Sequence, residues 1–228
     1  MFNELILISI FLITHFFLEK NKTKIFGNYF LDIPNLKRKI HKKPTYLIGG
    51  HFIFFSYLLF LIFSFDNEFN EKITLIFIYL SVFLIGILDD LIDLKPSTKL
   101  SLILLIYLIL IYFDKDFLLS RIYLETFEKQ LSFGPYSILV SSLCILLLVN
   151  AINLIDGING LAMMIFIIIF TFLYYFLNID FNAYILILFL FIFFNICKGQ
   201  YFLGNSGSLI IGALIGFSTI KAYNLNFI

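Results

Sequence analysis

Eight apolar runs, at 1–18, 46–65, 73–88, 100–113, 137–155, 161–177, 183–197 and 208–223, fill most of this 228-residue chain. In lipid, every backbone N–H and C=O must find a partner within the protein. Runs of this kind are therefore read as helices, which need about 20 residues to cross a bilayer and about 17 at the short end. Four of the runs fall below that minimum; they must borrow flanking residues or end in protein-lined cavities where polar backbone is tolerated. Only 14% of the residues are charged, against about 25% in an ordinary soluble domain. The expectation is an all-α polytopic membrane protein with about eight transmembrane helices, built as one integral membrane domain over 1–228. The first run carries Glu4 where a secretory signal has a basic segment, and it lacks a small-residue cleavage site, so a retained helix is expected. Cys144 and Cys197 lie in apolar runs without Cys-x-x-Cys spacing and read as small core residues.

Charge sets the expected orientation. The segment 19–45 holds eight of the sixteen Lys and Arg residues, and positive-inside bias makes it cytoplasmic. With eight alternating spans, 89–99, 156–160 and 198–207 are cytoplasmic too. The loops 66–72, 114–136 and 178–182 face outward, as do both termini, so the N-terminus is expected outside. Eleven of the sixteen basic residues then lie inside. Four unusual polar stretches, 41–50, 89–99, 150–160 and 204–208, fall on that same side, which predicts a cytoplasmic-face site.

The stretch "LIGILDDLIDLKPSTK", 84–99, sets Asp89, Asp90 and Asp93 within five positions. On a continued helix the three would share a face about 100° wide. Like charges 4 Å apart repel by about 4 kcal/mol at an effective dielectric near 20, so the cluster needs a cation, a basic partner or retained protons. Lys95 and Lys99 are candidate neighbours and Mg²⁺ is another. "NAINLIDGINGLA", 150–162, adds Asn150, Asn153, Asp156, Gly157, Asn159 and Gly160, with hard oxygen donors of the kind Mg²⁺ takes. "FLGNSGSL", 202–209, offers Gly204, Asn205, Ser206, Gly207 and Ser208, whose backbone N–H groups at a helix start suit phosphate. "HKKPTYLIGG", 41–50, brings Lys42 and Lys43 to a turn shaped by Pro44, Gly49 and Gly50. Carboxylates, Mg²⁺ ligands and phosphate donors without a Ser/His/Asp or Cys/His set suit phosphoryl transfer. Nothing in the chain points to nucleic acid. An ion-coupled transporter is an alternative, although its carboxylates would be expected near the bilayer midplane.

In this order and between these spans, the four stretches resemble the polyprenyl-phosphate N-acetylhexosamine-1-phosphate transferases, over about residues 41–215. The resemblance implies an Mg²⁺-dependent enzyme of the bacterial inner membrane. It would move a sugar 1-phosphate from UDP-N-acetylhexosamine to undecaprenyl phosphate and release UMP, opening a cell-wall or lipopolysaccharide glycan, with a homodimer as one possible assembly. It further implies that Asp89, Asp90 and Asp93 are catalytic, lying where the lipid phosphate attacks, the first two deprotonating or positioning it. Asn153 and Asn205 fall on Mg²⁺-ligand positions. Asp156 and Asn159 match the nucleotide-sugar site, Lys42 and Lys43 a phosphate-facing basic turn, and Gly204 and Ser206 the substrate-binding loop. The chain departs from the pattern in carrying Asn205 where the family usually has Asp, and Tyr46-Leu47 where it usually has Pro-Arg. Family members also continue through further helices and a His-rich loop, while the histidines here are His15, His41 and His51; an inactive fragment or degenerate relative is the second alternative.

Overall fold

A computed structural model describes residues 2–34, 44–63, 69–157, 160–177 and 201–227. The chain is an all-α polytopic membrane protein with small β elements at its ends. Its helices are α1 (Phe2–Ile25), α2 (Gly49–Phe63), α3 (Phe69–Ile92), α4 (Pro96–Phe113), α5 (Ser137–Ile155), α6 (Leu161–Leu177) and α7 (Gly204–Phe227). They cover seven of the eight apolar runs, and the run at 183–197 lies outside the described residues. Among the described residues, the segments Pro96–Phe113, Gly134–Ile155 and Gly204–Leu225 are long and apolar enough to cross a bilayer. Outward-facing apolar side chains recur at helical spacing, as Leu80, Leu84 and Leu88 on α3 and Met164, Ile168 and Phe172 on α6. Such stripes belong against lipid. Cys144, expected in the core, is a free thiol on an exposed face of α5, among Leu139, Leu143 and Leu147.

α7 is the hub. Of its apolar window 72% is buried, against 28% for each of α4 and α5. Small residues make this possible by letting neighbouring backbones close in. A Cβ on Gly50 of α2 would collide with the backbone of Gly207, and one on Gly86 of α3 would collide with the backbone of Ser206. On the α5 side, a Cβ on Gly212 would come within 2.9 Å of the Val149 Cα, and one on Gly216 within 2.7 Å of the Ile145 Cδ1.

Two short β elements close the opposite ends. At one end, β1 (Leu31–Asp32), β2 (Thr45–Leu47) and β5 (Tyr201–Phe202) form a three-stranded sheet in the order β1-β2-β5. β2 runs antiparallel to β1 and parallel to β5, pairing Tyr46 with Tyr201 and Leu47 with Phe202. The Gly50 N–H donates to the Leu203 carbonyl at 2.8 Å. This sheet therefore ties the starts of α2 and α7 together. At the other end, β3 (Arg121–Leu124) and β4 (Lys129–Ser132) make an antiparallel hairpin. The Asn224 amide of α7 donates to the carbonyls of Asp116 and Leu118 there, at 2.6 and 3.0 Å.

Candidate functional site

The carboxylates gather where α3 stops. α3 ends at Ile92, and Asp93 adopts a left-handed conformation with φ +51°, a conformation that closes many helices. The helical arc assumed from the sequence therefore ends one residue too early, and the three carboxylates do not share a face. Asp93 is exposed beyond the helix. Asp89 is buried: its Oδ2 accepts from Lys99 Nζ at 2.7 Å and its Oδ1 from the Leu94 N–H at 3.0 Å. The basic partner that the cluster required is thus Lys99, ten residues on and across the α3–α4 turn.

Asp90 points the other way. Its Oδ1 accepts from the Asn205 N–H at 2.7 Å and its Oδ2 from the Ser206 N–H at 3.0 Å. A carboxylate in this position satisfies two unpaired donors of a helix N-terminus and sits at the positive end of its dipole. Gly204 makes room: its φ is +76°, and a Cβ there would stand 3.0 Å from an Asp90 oxygen. The sequence offered these N–H groups to phosphate; Asp90 holds two of them instead, because α3 delivers a desolvated anion to them through the Gly86–Ser206 contact.

Asn153, near the end of α5, joins from the third side. Its Oδ1 accepts from the Ser208 hydroxyl at 2.7 Å, and the same hydroxyl lies 3.3 Å from the Asn205 carbonyl oxygen. Asp156 follows just past α5. Burial, with the Asp90 charge added, pushes its carboxyl up to about 8. Burial likewise raises Asp90 to about 6, against the pull of the α7 N–H groups and with a small push from Asp89. Two partly buried acids, one raising the proton affinity of the other, suit a divalent cation, which would relieve both. Asn153 offers a hard amide oxygen, and Asn205, whose backbone N–H bonds Asp90, carries another, so the donor chemistry fits Mg²⁺. Among the described residues no three His, Cys, Asp or Glu side chains are grouped to hold a metal. A cation here would accordingly draw on amide oxygens, water and substrate phosphate.

The structure thus brings Asp90, Asn153, Asp156, Gly204, Asn205 and Ser206 to one end of the bundle, with Asp89 behind them. Lys42, Lys43 and Asn159 lie outside the described residues. His15 and His51 are buried away from the carboxylates. His15 faces Glu19 at 3.5 Å, and His51 is ringed by Phe26, Phe30 and Phe83. Ser208, read from the sequence as a phosphate-facing residue of the α7 start, instead touches Asn153 through its hydroxyl; the site residue not singled out from sequence is Gly86, which lets α3 reach α7. Gly86 carried a signal: it is the one small residue in the last two turns of an otherwise bulky helix.

Residues 72–223 match the family described as glycosyl transferase family 4. The chain is 25% identical over 195 residues to a phospho-N-acetylmuramoyl-pentapeptide-transferase of Clostridium perfringens, covering 78% of this chain and 62% of the relative. It is 29% identical over 192 residues to an undecaprenyl-phosphate alpha-N-acetylglucosaminyl 1-phosphate transferase of Thermotoga maritima, covering 84% and 56%. It is 30% identical over 207 residues to a phospho-N-acetylmuramoyl-pentapeptide-transferase of a Wolbachia species from Brugia malayi, covering 79% and 61%. The chain spans about three fifths of the length of these relatives.

Proposed function

The chain belongs to glycosyl transferase family 4, and from that premise we propose that it transfers an N-acetylhexosamine 1-phosphate from a UDP-sugar to undecaprenyl phosphate, releasing UMP. An oxygen of the lipid phosphate forms a bond to the sugar-bearing phosphorus of the donor. The bond from that phosphorus to the UMP oxygen breaks in line with it. Orienting two anionic substrates and neutralising their charge is most of the catalytic task in such a reaction.

In this reading Asp90 and Asp93 stand at the acceptor phosphate, where Asp90 positions it or takes its proton, while Asp89, expected from the resemblance to share that role, is engaged by Lys99. Asp156 and Asn159 meet the nucleotide-sugar and Lys42 and Lys43 meet phosphate, while the Gly204–Ser206 turn acts through Asp90, which holds the Asn205 and Ser206 N–H groups. Asn153 and Asn205 hold Mg²⁺, which when bound supplies charge neutralisation on the transferring phosphoryl group. The site faces the cytoplasm of a bacterial inner membrane, with the N-terminus outside. A membrane-tethered phosphate and a soluble UDP-sugar would meet there.

One observation carries the proposal. Asp90, Asn153, Asp156 and the first turn of α7 come from three separate stretches and converge at helix ends. A transporter would be expected to place such groups near mid-span. Membranes containing the protein, supplied with radiolabelled UDP-N-acetylhexosamine, Mg²⁺ and undecaprenyl phosphate, are expected to give a solvent-extractable labelled lipid and UMP in equal amounts. Absence of both products across a panel of UDP-sugars overturns the proposal.

A further inference from the structure

α5 and α7 meet in a regular antiparallel ladder. Ile145, Val149 and Asn153 follow one another at four-residue steps on α5, and Gly216, Gly212 and Ser208 do so in reverse on α7. The two lower rungs are close approaches of α5 to a glycine, and the top rung is the 2.7 Å hydrogen bond from Ser208 to Asn153. Ser208 is fully buried. Its hydroxyl proton has two acceptors in reach, the Asn153 Oδ1 and the Asn205 carbonyl oxygen at 3.3 Å. A serine has one proton to donate and an amide oxygen two lone pairs, so Asn153 Oδ1 keeps one lone pair for another partner.

An asparagine amide can present either its oxygen or its NH₂ group to a site, and only the oxygen binds a cation. The glycine rungs set how far apart the helices are, but they leave the amide free to turn. The Ser208 hydroxyl restricts that freedom: its proton lies on the Asn153 Oδ1 at 2.7 Å, and an NH₂ turned into that place would force the proton onto the more distant Asn205 carbonyl at 3.3 Å. We propose that Ser208 is a positioning residue for divalent-cation binding: through its hydroxyl it fixes Asn153 with the amide oxygen toward the site and sets it in register with Asn205. The inference rests on the Mg²⁺ role given to Asn153 above, and nothing in it requires Ser208 to touch substrate. Partners of this kind around metal sites typically change affinity by about 10–100-fold when removed.

The experiment titrates Mn²⁺, a paramagnetic stand-in for Mg²⁺, into the purified full chain in lipid nanodiscs and reads bound Mn²⁺ by electron paramagnetic resonance. Wild type, Ser208→Ala, Asn153→Ala and the double variant are compared. Ser208→Ala is expected to weaken Mn²⁺ by about tenfold, and to add nothing further once Asn153 is Ala. Unchanged affinity in Ser208→Ala overturns the proposal, as does a further loss in the Asn153→Ala background, which would show that Ser208 acts elsewhere. A wild type that binds no Mn²⁺ overturns it too. Sugar-phosphate transfer is measured on the same samples. A wild type that binds Mn²⁺ but transfers nothing counts against the transferase reading, while the Mn²⁺ affinities of the variants still decide whether Ser208 positions Asn153.

Discussion

Asp89 and Lys99 are both buried and bonded at 2.7 Å, and a pair of this kind behaves asymmetrically when cut. Removing one partner strands the other charge away from water at a cost of about 3–5 kcal/mol, whereas replacing both with neutral groups of similar volume is close to neutral. Lys99→Met and Asp89→Asn are each expected to lower stability by about that amount. The double substitution should recover most of it, read from thermal unfolding in detergent. Asn205 yields a second prediction at this scale. Restoring Asp there adds a negative charge next to Asp90, whose carboxylate already holds the Asn205 N–H. Unit charges 4 Å apart exchange about 4 kcal/mol at a dielectric near 20, so even a fraction of that term moves cation affinity severalfold. Asn205→Asp is expected to lower the half-saturating Mg²⁺ concentration for transfer; an unchanged titration would show that position 205 does not ligate. These residues differ in how far the sequence exposed them. Lys99 was readable as a neighbour of the acidic cluster because it lies only ten residues from Asp89, across one short turn. The attachment of Asp90 to α7 was not, because it spans 115 positions and depends on how helices pack.

Among the elements, the helices were legible and their arrangement was not. Apolar runs declare themselves, since lipid admits helices and closed barrels alone. β1, β2 and β5 are two or three residues long, too short for a period-2 pattern, so nothing local announced the sheet that ties α2 to α7. Nor did apolarity single out α7 as the hub. That information sits in Gly50, Gly86, Ser206, Gly207, Ser208, Gly212 and Gly216, small residues whose meaning appears only when their opposite numbers are known. Two glycines in similar sequence settings therefore call for different outcomes. Gly86→Ala drives a Cβ into the Ser206 backbone. Overpacking of this kind costs about 1–3 kcal/mol, and here it also moves α3 away from the N–H groups that Asp90 holds. Gly157, inside the third motif stretch, has only ordinary contact at 3.7 Å waiting for a Cβ. Gly157→Ala is expected to leave the unfolding temperature unchanged while Gly86→Ala lowers it, with calorimetry in detergent deciding between them.

For the whole molecule, the two ends are chemically unlike. One end gathers the acids, amides and helix-start donors of the candidate site. The other carries the β3–β4 hairpin, latched to α7 through Tyr223, and the turn before it, latched through Asn224. With α4, α5 and α7 as spans, the residues beside Asp90 and the hairpin are expected on opposite sides of the bilayer. In the orientation proposed above from positive-inside bias, the site end lies in the cytoplasm. Ser97 at the site end and Thr126 on the hairpin are both exposed, and each accepts a cysteine without loss of core packing. In a background with Cys144 and Cys197 changed to Ser, a membrane-impermeant maleimide added to right-side-out vesicles is expected to label Thr126→Cys and spare Ser97→Cys. Inside-out vesicles should reverse the pattern. Labelling of Ser97→Cys from outside would invert the orientation, and a soluble UDP-sugar made in the cytoplasm would then have no access to Asp90. Labelling of both positions from one side would contradict the span arrangement itself, because α4 and α5 would no longer separate the two ends of the molecule.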